Sequence, residues 1–194
     1  MAVTRDGQVA DAMRALRNQG RRPADGWLDH ALLGYNYRLS EINCALGISQ
    51  MQRLDSILAQ RKDRAACYRE HLRAIPGLTL PVFEIADGRV CWFVFVVRLA
   101  ARFTAEDRDG IIDYMTSRGI GCGRYFAPVH RQPLYASYAD RGHDLTVTDQ
   151  VAGRTLALPF FNRLTDEEIA EVCGTLREAM DAARTADCHP YSAA

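Results

Sequence analysis

Met51, Leu54, Leu58, Ala65, Tyr68, Leu72 and Ile75 recur in a three–four rhythm broken only at Arg61. Only an α-helix gathers residues so spaced onto one face. The spacing predicts one long helix with a single buried stripe, stopped by Pro76-Gly77. A stripe of that length needs a second layer to cover it.

Helices and short strands follow one another along the remaining sequence. Asp6 offers a cap for a helix carrying Val9, Met13 and Leu16 and closed by Gly20. Ala2-Val3-Thr4 reads as the end of a strand, and Arg21 to Asp29 as a polar loop. Ser40 caps a helix with Ile42, Leu46 and Ile48. Leu78 to Val82, Cys91 to Leu99, Ile120 to Phe126 and Thr155 to Leu158 read as strands. Thr104 with Asp107, and Thr165 with Glu168, form capping boxes for two more helices, and Leu164 can staple onto Ile169. Val147 to Gly153 is a short helix, and Tyr135 to Gly142 is irregular. The fold class is α/β with local α+β character, a small sheet flanked by helices plus one long helix.

With 194 residues, the chain has material for one ordinary domain or slightly more. Acidic and basic residues balance to zero net charge, which argues against non-specific nucleic-acid binding. The longest apolar run, Cys91 to Val97, is far short of the roughly 20 residues that cross a bilayer. No signal peptide is legible at Met1-Ala2-Val3-Thr4, so a cytoplasmic location is expected. The cysteines at 44, 67, 91, 122, 173 and 188 include no C-x-x-C pair and read as reduced, mostly buried thiols. The residues after Met180 are small and polar and read as a frayed tail. Of the 24 basic residues only Lys62 is a lysine. Chemistry that needs a lysine amine must use Lys62, the N-terminus or another chain. Lys62 sits among charges in Arg61-Lys62-Asp63-Arg64, the composition of a solvated face.

Two segments concentrate functional side chains. Gly34-Tyr-Asn-Tyr-Arg-Leu-Ser40 places an amide and a guanidinium just before a helix start, which suits an anion or, equally, a packed structural loop. Tyr125-Phe-Ala-Pro-Val-His-Arg-Gln-Pro133 holds His130 between two prolines, either to orient a ligand or as a hydrogen-bonded structural residue. Gly119-Ile-Gly-Cys-Gly123 follows a helix and leads into a strand, the wrong order for a phosphate-binding glycine loop. The histidines at 30, 71, 130, 143 and 189 share no metal-ligand spacing, so no metal is expected. Spacing alone leaves open a Cys122–His130 hydrolase pair.

The block from Gly34 to Gly47 with Gln50-Met-Gln-Arg-Leu-Asp55, the block from Gly119 to Pro133, and Arg154-Thr-Leu-Ala-Leu-Pro-Phe-Phe-Asn-Arg-Leu-Thr165 together resemble the DegT/DnrJ/StrS-type sugar aminotransferases. These are pyridoxal-phosphate enzymes that aminate nucleotide-linked keto-sugars. The three blocks stand in family order, from Ala2 to about Met180. The resemblance implies the C-terminal half of a fold-type-I aminotransferase: residues 1–50 as a remnant of the large cofactor domain, 51–180 as the small domain, and 181–194 as a flexible tail. It implies Asn36 and Arg38 as cofactor-binding residues, Asn36 reaching the cofactor phosphate of a neighbouring subunit. It implies Tyr125 and His130 on the substrate side of the cleft. The family's Schiff-base lysine, and the aspartate that pairs with the pyridine nitrogen, belong to the half this chain does not match. Lys62 does not occupy the lysine's position, so no residue of this chain is expected to be catalytic.

The resulting expectation is a segment of a pyridoxal-phosphate-dependent transaminase, inactive alone, whose partners are a nucleotide-sugar, an amino donor, and either a second copy or a complementary N-terminal half. The biosynthesis of cell-surface polysaccharide or secondary-metabolite sugars is the implied setting. The alternative is a non-catalytic binding or oligomerisation module that keeps the small-domain fold. A free-standing hydrolase is the third reading.

Overall fold

The computed structural model describes residues 2–22, 26, 29–138 and 144–186. His143, Cys188 and His189, and most of the tail, lie outside them. The chain divides into two compact units, Met1–Leu54 and Asp55–Ala194.

In the first unit, helix α1 (Gly7–Arg17) begins where Asp6 accepts from the amides of Gln8 and Val9 at 2.8 and 3.2 Å. It ends in a left-handed turn, Gln19 at φ 62° and Gly20 at φ 84°. Gly20 is required there for a second reason. A Cβ on it would stand 1.7 Å from the Leu32 carbonyl oxygen, and one on Gly34 would stand 2.0 Å from the Gly20 nitrogen. The two glycines let the loop that leaves α1 return against its end. Tyr35 and Tyr37 then donate their amides to the carbonyls of Leu16 and Arg17, at 2.6 and 2.9 Å. Ser40 caps helix α2 (Glu41–Gln52), accepting from Asn43 at 3.3 Å. Residues 2–4 form no strand, because no other segment among the described residues pairs with them.

The continuous long helix expected from the periodicity is two helices. α2 ends at a turn on Arg53, and helix α3 (Leu54–Leu72) follows. The stripe is buried only at Ala65, Tyr68 and Leu72; Met51 and Leu54 are exposed and no residue of α2 is buried. The reason is local. Tyr68 stacks on Phe95 and donates to the Pro159 carbonyl at 2.7 Å, so the core begins there. Arg61, the one break in the rhythm, donates to the Asn162 side chain and the Trp92 carbonyl, both at 3.0 Å.

In the second unit, strands β1 (Leu78–Thr79), β2 (Phe95–Leu99) and β3 (Thr155–Leu158) form an antiparallel sheet in that order. Phe95 faces Leu158 and Val97 faces Leu156, so alternate residues of β2 and β3 meet in the core. Helices α4 (Ala105–Ser117) and α6 (Asp166–Ala186) cover it with α3, and α5 (Thr146–Ala152) leads into β3. Both capping boxes are present: Thr104 and Asp107 bond reciprocally at 3.1 and 2.7 Å, and Thr165 and Glu168 at 2.8 and 3.2 Å. Leu164 and Ile169 are both buried beside the second.

Several boundaries differ from the expectation. Ile120 to Phe126 is not a strand; it touches the sheet at one bridge, Gly123 with Ala157. The strand expected at Leu78 to Val82 spans two residues. The helix that buries Met180 runs on to Ala186, past the point where fraying was expected. Among the described cysteines only Cys173 is buried; Cys44 and Cys91 are exposed. Cys91 precedes β2 in a loop, and Cys44 lies on the uncovered α2.

Candidate functional site

Backbone pairing of 35–37 against the end of α1 sets out the side chains of the Gly34–Ser40 segment. Tyr35 and Tyr37 stack face to face, ring centroids 4.9 Å apart with 4° between planes. Residues two apart in extended backbone share a side, so Asn36 and Arg38 project opposite to the tyrosines. The Arg38 guanidinium donates to the Asn18 side-chain oxygen, tying the segment to the residue that ends α1. It borders an open cleft of about 580 Å³ lined by Arg14, Arg17, Asn18, Arg21, Arg38, Leu39 and Cys44. Of these, only Arg38 stands in a segment that the sequence marks as a candidate site. A legible signal existed for two more, since Arg14 and Arg17 share the last turn of α1. Arg21 joins them only through the turn at Gly20.

Tyr125 and His130 lie in the second unit. Tyr125 is half-buried; its carbonyl accepts from the Thr155 hydroxyl at 3.2 Å, and its ring meets Phe93 and Phe126 edge-on. His130 occupies a single 3-10 turn, Val129–Arg131. Its Nε2 lies 2.9 Å from Asp149 Oδ1, and Arg131 Nε lies 2.7 Å from the same oxygen. The Arg131 hydrogen bond, against a smaller opposing effect of desolvation, holds the Asp149 carboxyl below its ordinary range, with His130 contributing. An ionised carboxylate only accepts, so Nε2 carries the proton and Nδ1 of a neutral ring is left as an acceptor. Asp149 was not legible as a partner of His130, because 19 residues separate them and only the packing of α5 joins them.

Cys122 is not positioned as a nucleophile with His130. Its Sγ points to Met115 Sδ at 3.5 Å, and burial pushes its thiol up to about 11. A reactive cysteine needs a depressed value. Lys62 is exposed and borders a different cleft, with Arg69, Phe83, Arg89 and Trp92. Among the described residues no cluster of histidine, cysteine or carboxylate could hold a metal ion, and no helix is long and apolar enough to cross a membrane.

The donor set bears on pyridoxal phosphate. A cleft lined by four guanidiniums and an amide fits a phosphate group. Among the described residues no amine lines that cleft, so its residues fit the phosphate end of the cofactor and not the carbonyl end.

Comparison with known proteins gives the family. Residues 1–177 match the DegT/DnrJ/EryC1/StrS aminotransferase family, and the chain belongs to it. It is similar to the erythromycin biosynthesis sensory transduction protein EryC1 of Saccharopolyspora erythraea, with 32% identity over 90% of this chain and 45% of that protein. It is also similar to the GDP-perosamine synthase of Vibrio cholerae, 27% identical over 91% of this chain and 47% of that one. The chain thus spans about half the length of the curated relatives it matches. Among solved structures, S. venezuelae DesV in complex with a ketimine intermediate superposes with a TM-score of 0.80 at 32% identity, over 92% of this chain and 46% of that one. Helicobacter pylori PseC, at 20% identity and a TM-score of 0.82, shares the fold over 93% of this chain and 48% of that one.

Proposed function

We propose that this chain is the C-terminal segment of a pyridoxal-phosphate-dependent aminotransferase acting on nucleotide-linked keto-sugars, and that it is inactive alone. The observation that carries the reading is that Arg38, two residues after Asn36 in one segment, borders the arginine cleft, within a chain whose family match covers residues 1–177. Residues 1–50 contribute to the large domain, and 51–180 form the small domain. The setting is the biosynthesis of surface polysaccharide or secondary-metabolite sugars, as suggested by the names of EryC1 and of a 27% identical relative, the spore coat polysaccharide biosynthesis protein SpsC of Bacillus subtilis.

Pyridoxal phosphate, when bound, supplies the electron sink for moving an amino group. In this reading the chain's own residues bind and orient. The Asn36 amide donates to a phosphate oxygen of the cofactor in a neighbouring subunit, and Arg38 supplies a fixed positive charge beside it. Tyr125 borders the substrate side. His130, held by Asp149, presents Nδ1 to a substrate hydroxyl. The amine and the carboxylate that pairs with the pyridine nitrogen come from the part of the relatives that this chain does not match.

The test has two arms. Purified chain mixed with pyridoxal phosphate is expected to show no visible absorbance band that survives gel filtration. Co-expressed with the lysine-bearing half of a relative, it is expected to give transamination of a nucleotide-linked keto-sugar that Asn36→Ala abolishes. A stable band from the chain alone, lost in Lys62→Ala, would overturn the reading.

A further inference from the structure

A second cleft, of about 630 Å³, lies wholly within the second unit, between α3 and the loop of residues 80–94. Its volume falls in the range of small-molecule sites, roughly 300–1,000 Å³. Trp92 lines it, whereas the neighbouring Phe93 meets the Tyr125 ring, centroids 6.5 Å apart, so the cleft is separate from the Tyr125 segment. Phe83 and Trp92 make an aromatic wall, their rings 4.9 Å apart and tilted by 46°. Leu58, Val90 and the half-exposed Ile85 continue the apolar lining. Three cations, Lys62, Arg69 and Arg89, border this lining against two carboxylates, Asp55 and Glu84. Among the described residues none of the five makes an ion pair. The poles of α3 account for two of them, since Asp55 stands on its first turn and Arg69 on its last. Arg69 also rests over the Phe83 ring, 4.8 Å from its centroid. Helix polarity accounts for neither Lys62, in mid-helix, nor Arg89, in the loop. These two stand against the one carboxylate of Glu84, an excess of a single positive charge beside apolar and aromatic side chains. That combination suits a ligand with an apolar ring and one negative charge.

We propose that this cleft binds an aromatic carboxylate, its ring against Phe83 and Trp92 and its anionic group met by Lys62 and Arg89. The lining comes entirely from residues 55–92, so the inference goes beyond the aminotransferase reading and does not rest on it. Pyridoxal phosphate is itself an aromatic anion, so the probes must set the cofactor apart.

The sequence holds two tryptophans, Trp27 and Trp92, so a Trp27→Phe chain reports on the cleft through Trp92 emission alone. Titration of that chain at low salt with 1-naphthoate is expected to quench the emission saturably. The cationic counterpart 1-naphthylmethylamine should bind about tenfold or more weaker, because it meets Lys62 and Arg89 with a like charge. Acetate lacks the ring, and pyridoxamine phosphate carries polar groups around it. As competitors both should displace 1-naphthoate only at about tenfold or higher excess. Lys62→Gln with Arg89→Gln should weaken 1-naphthoate about tenfold and remove the preference for the anion. Ala59→Phe, which fills the cleft from an exposed position on α3, should abolish the quenching and leave the circular dichroism unchanged. Arg73→Gln, just past α3 and paired with Glu70, should leave binding as it is. Equal affinity for the naphthyl anion and cation overturns the proposal. So does a Trp92 emission that 1-naphthoate does not move, or quenching retained in Ala59→Phe. Pyridoxamine phosphate binding as tightly as 1-naphthoate also overturns it and assigns the cleft to the cofactor.

Discussion

Gly34 shows how much a single residue decides. The approach of its backbone to Gly20 lets 35–37 pair with the end of α1, and that pairing turns Asn36 and Arg38 to one side. Gly34→Ala is expected to disrupt this return and to cost about 2 kcal/mol or more, by the scale of strain at over-determined backbone sites. Chemical denaturation followed by circular dichroism reads it, and an unchanged midpoint would contradict the close approach. The cysteines give a second expectation at this scale. Cys44 and Cys91 are exposed, whereas burial pushes Cys122 up to about 11 and Cys173 up to about 12. Near neutral pH a thiol reagent should label the first two rapidly and the last two only on unfolding, as mass spectrometry of the labelled peptides will show. The exposure of Cys91 is not legible in the sequence, because an apolar run looks the same in a covered strand and in the loop before one.

At the scale of the element, capping chemistry was legible and strand ends were not. A cap is decided by a few consecutive side chains and the orphan amides of one turn, so Asp6, Ser40, Thr104 and Thr165 could be read directly. Thr104→Ala should lower stability by about 1 kcal/mol, measured by thermal or denaturant melting, and should leave the fold intact. A strand exists only where another strand accepts its hydrogen bonds. Ile120 to Phe126 has the residues for a strand but only one bridge to the sheet, and Ala2 to Thr4 has none. The rhythm from Met51 to Ile75 encodes helix, but not the turn at Arg53, because the stripe continues through it. What divides the stripe is the reach of the core, which stops at Tyr68 and Ala65.

At the scale of the molecule, the buried acids of the second unit set its response to alkali. Burial raises the Tyr68 phenol and the Cys122 and Cys173 thiols above their ordinary values of 10.0 and 9.0. The folded state therefore holds these protons where the unfolded chain has released them. The stabilisation is fully present below the unfolded values and is lost as pH rises towards the folded ones. Melting temperature should fall from about pH 9 upward, and Cys122→Ser with Cys173→Ser should flatten that fall. A melting temperature level to pH 11 would contradict the burial of these groups. Leu156→Ala, at the centre of the same core, should cost about 2–5 kcal/mol through lost contacts and the cavity left behind.

The sequence by itself determined the helices, their caps, the mixed α and β character, and the segments that carry Asn36, Arg38, Tyr125 and His130, because each depends on neighbours within a turn or two of chain. Tertiary structure decided which of these side chains have company. It brought Arg14, Arg17 and Arg21 to the cleft that Arg38 borders, and Asp149 to His130 across 19 residues. It turned Cys122 toward Met115, away from any role as a nucleophile. Charge convergence and hydrogen-bond partnership depend on distances through space, and periodicity in a single chain does not encode those distances.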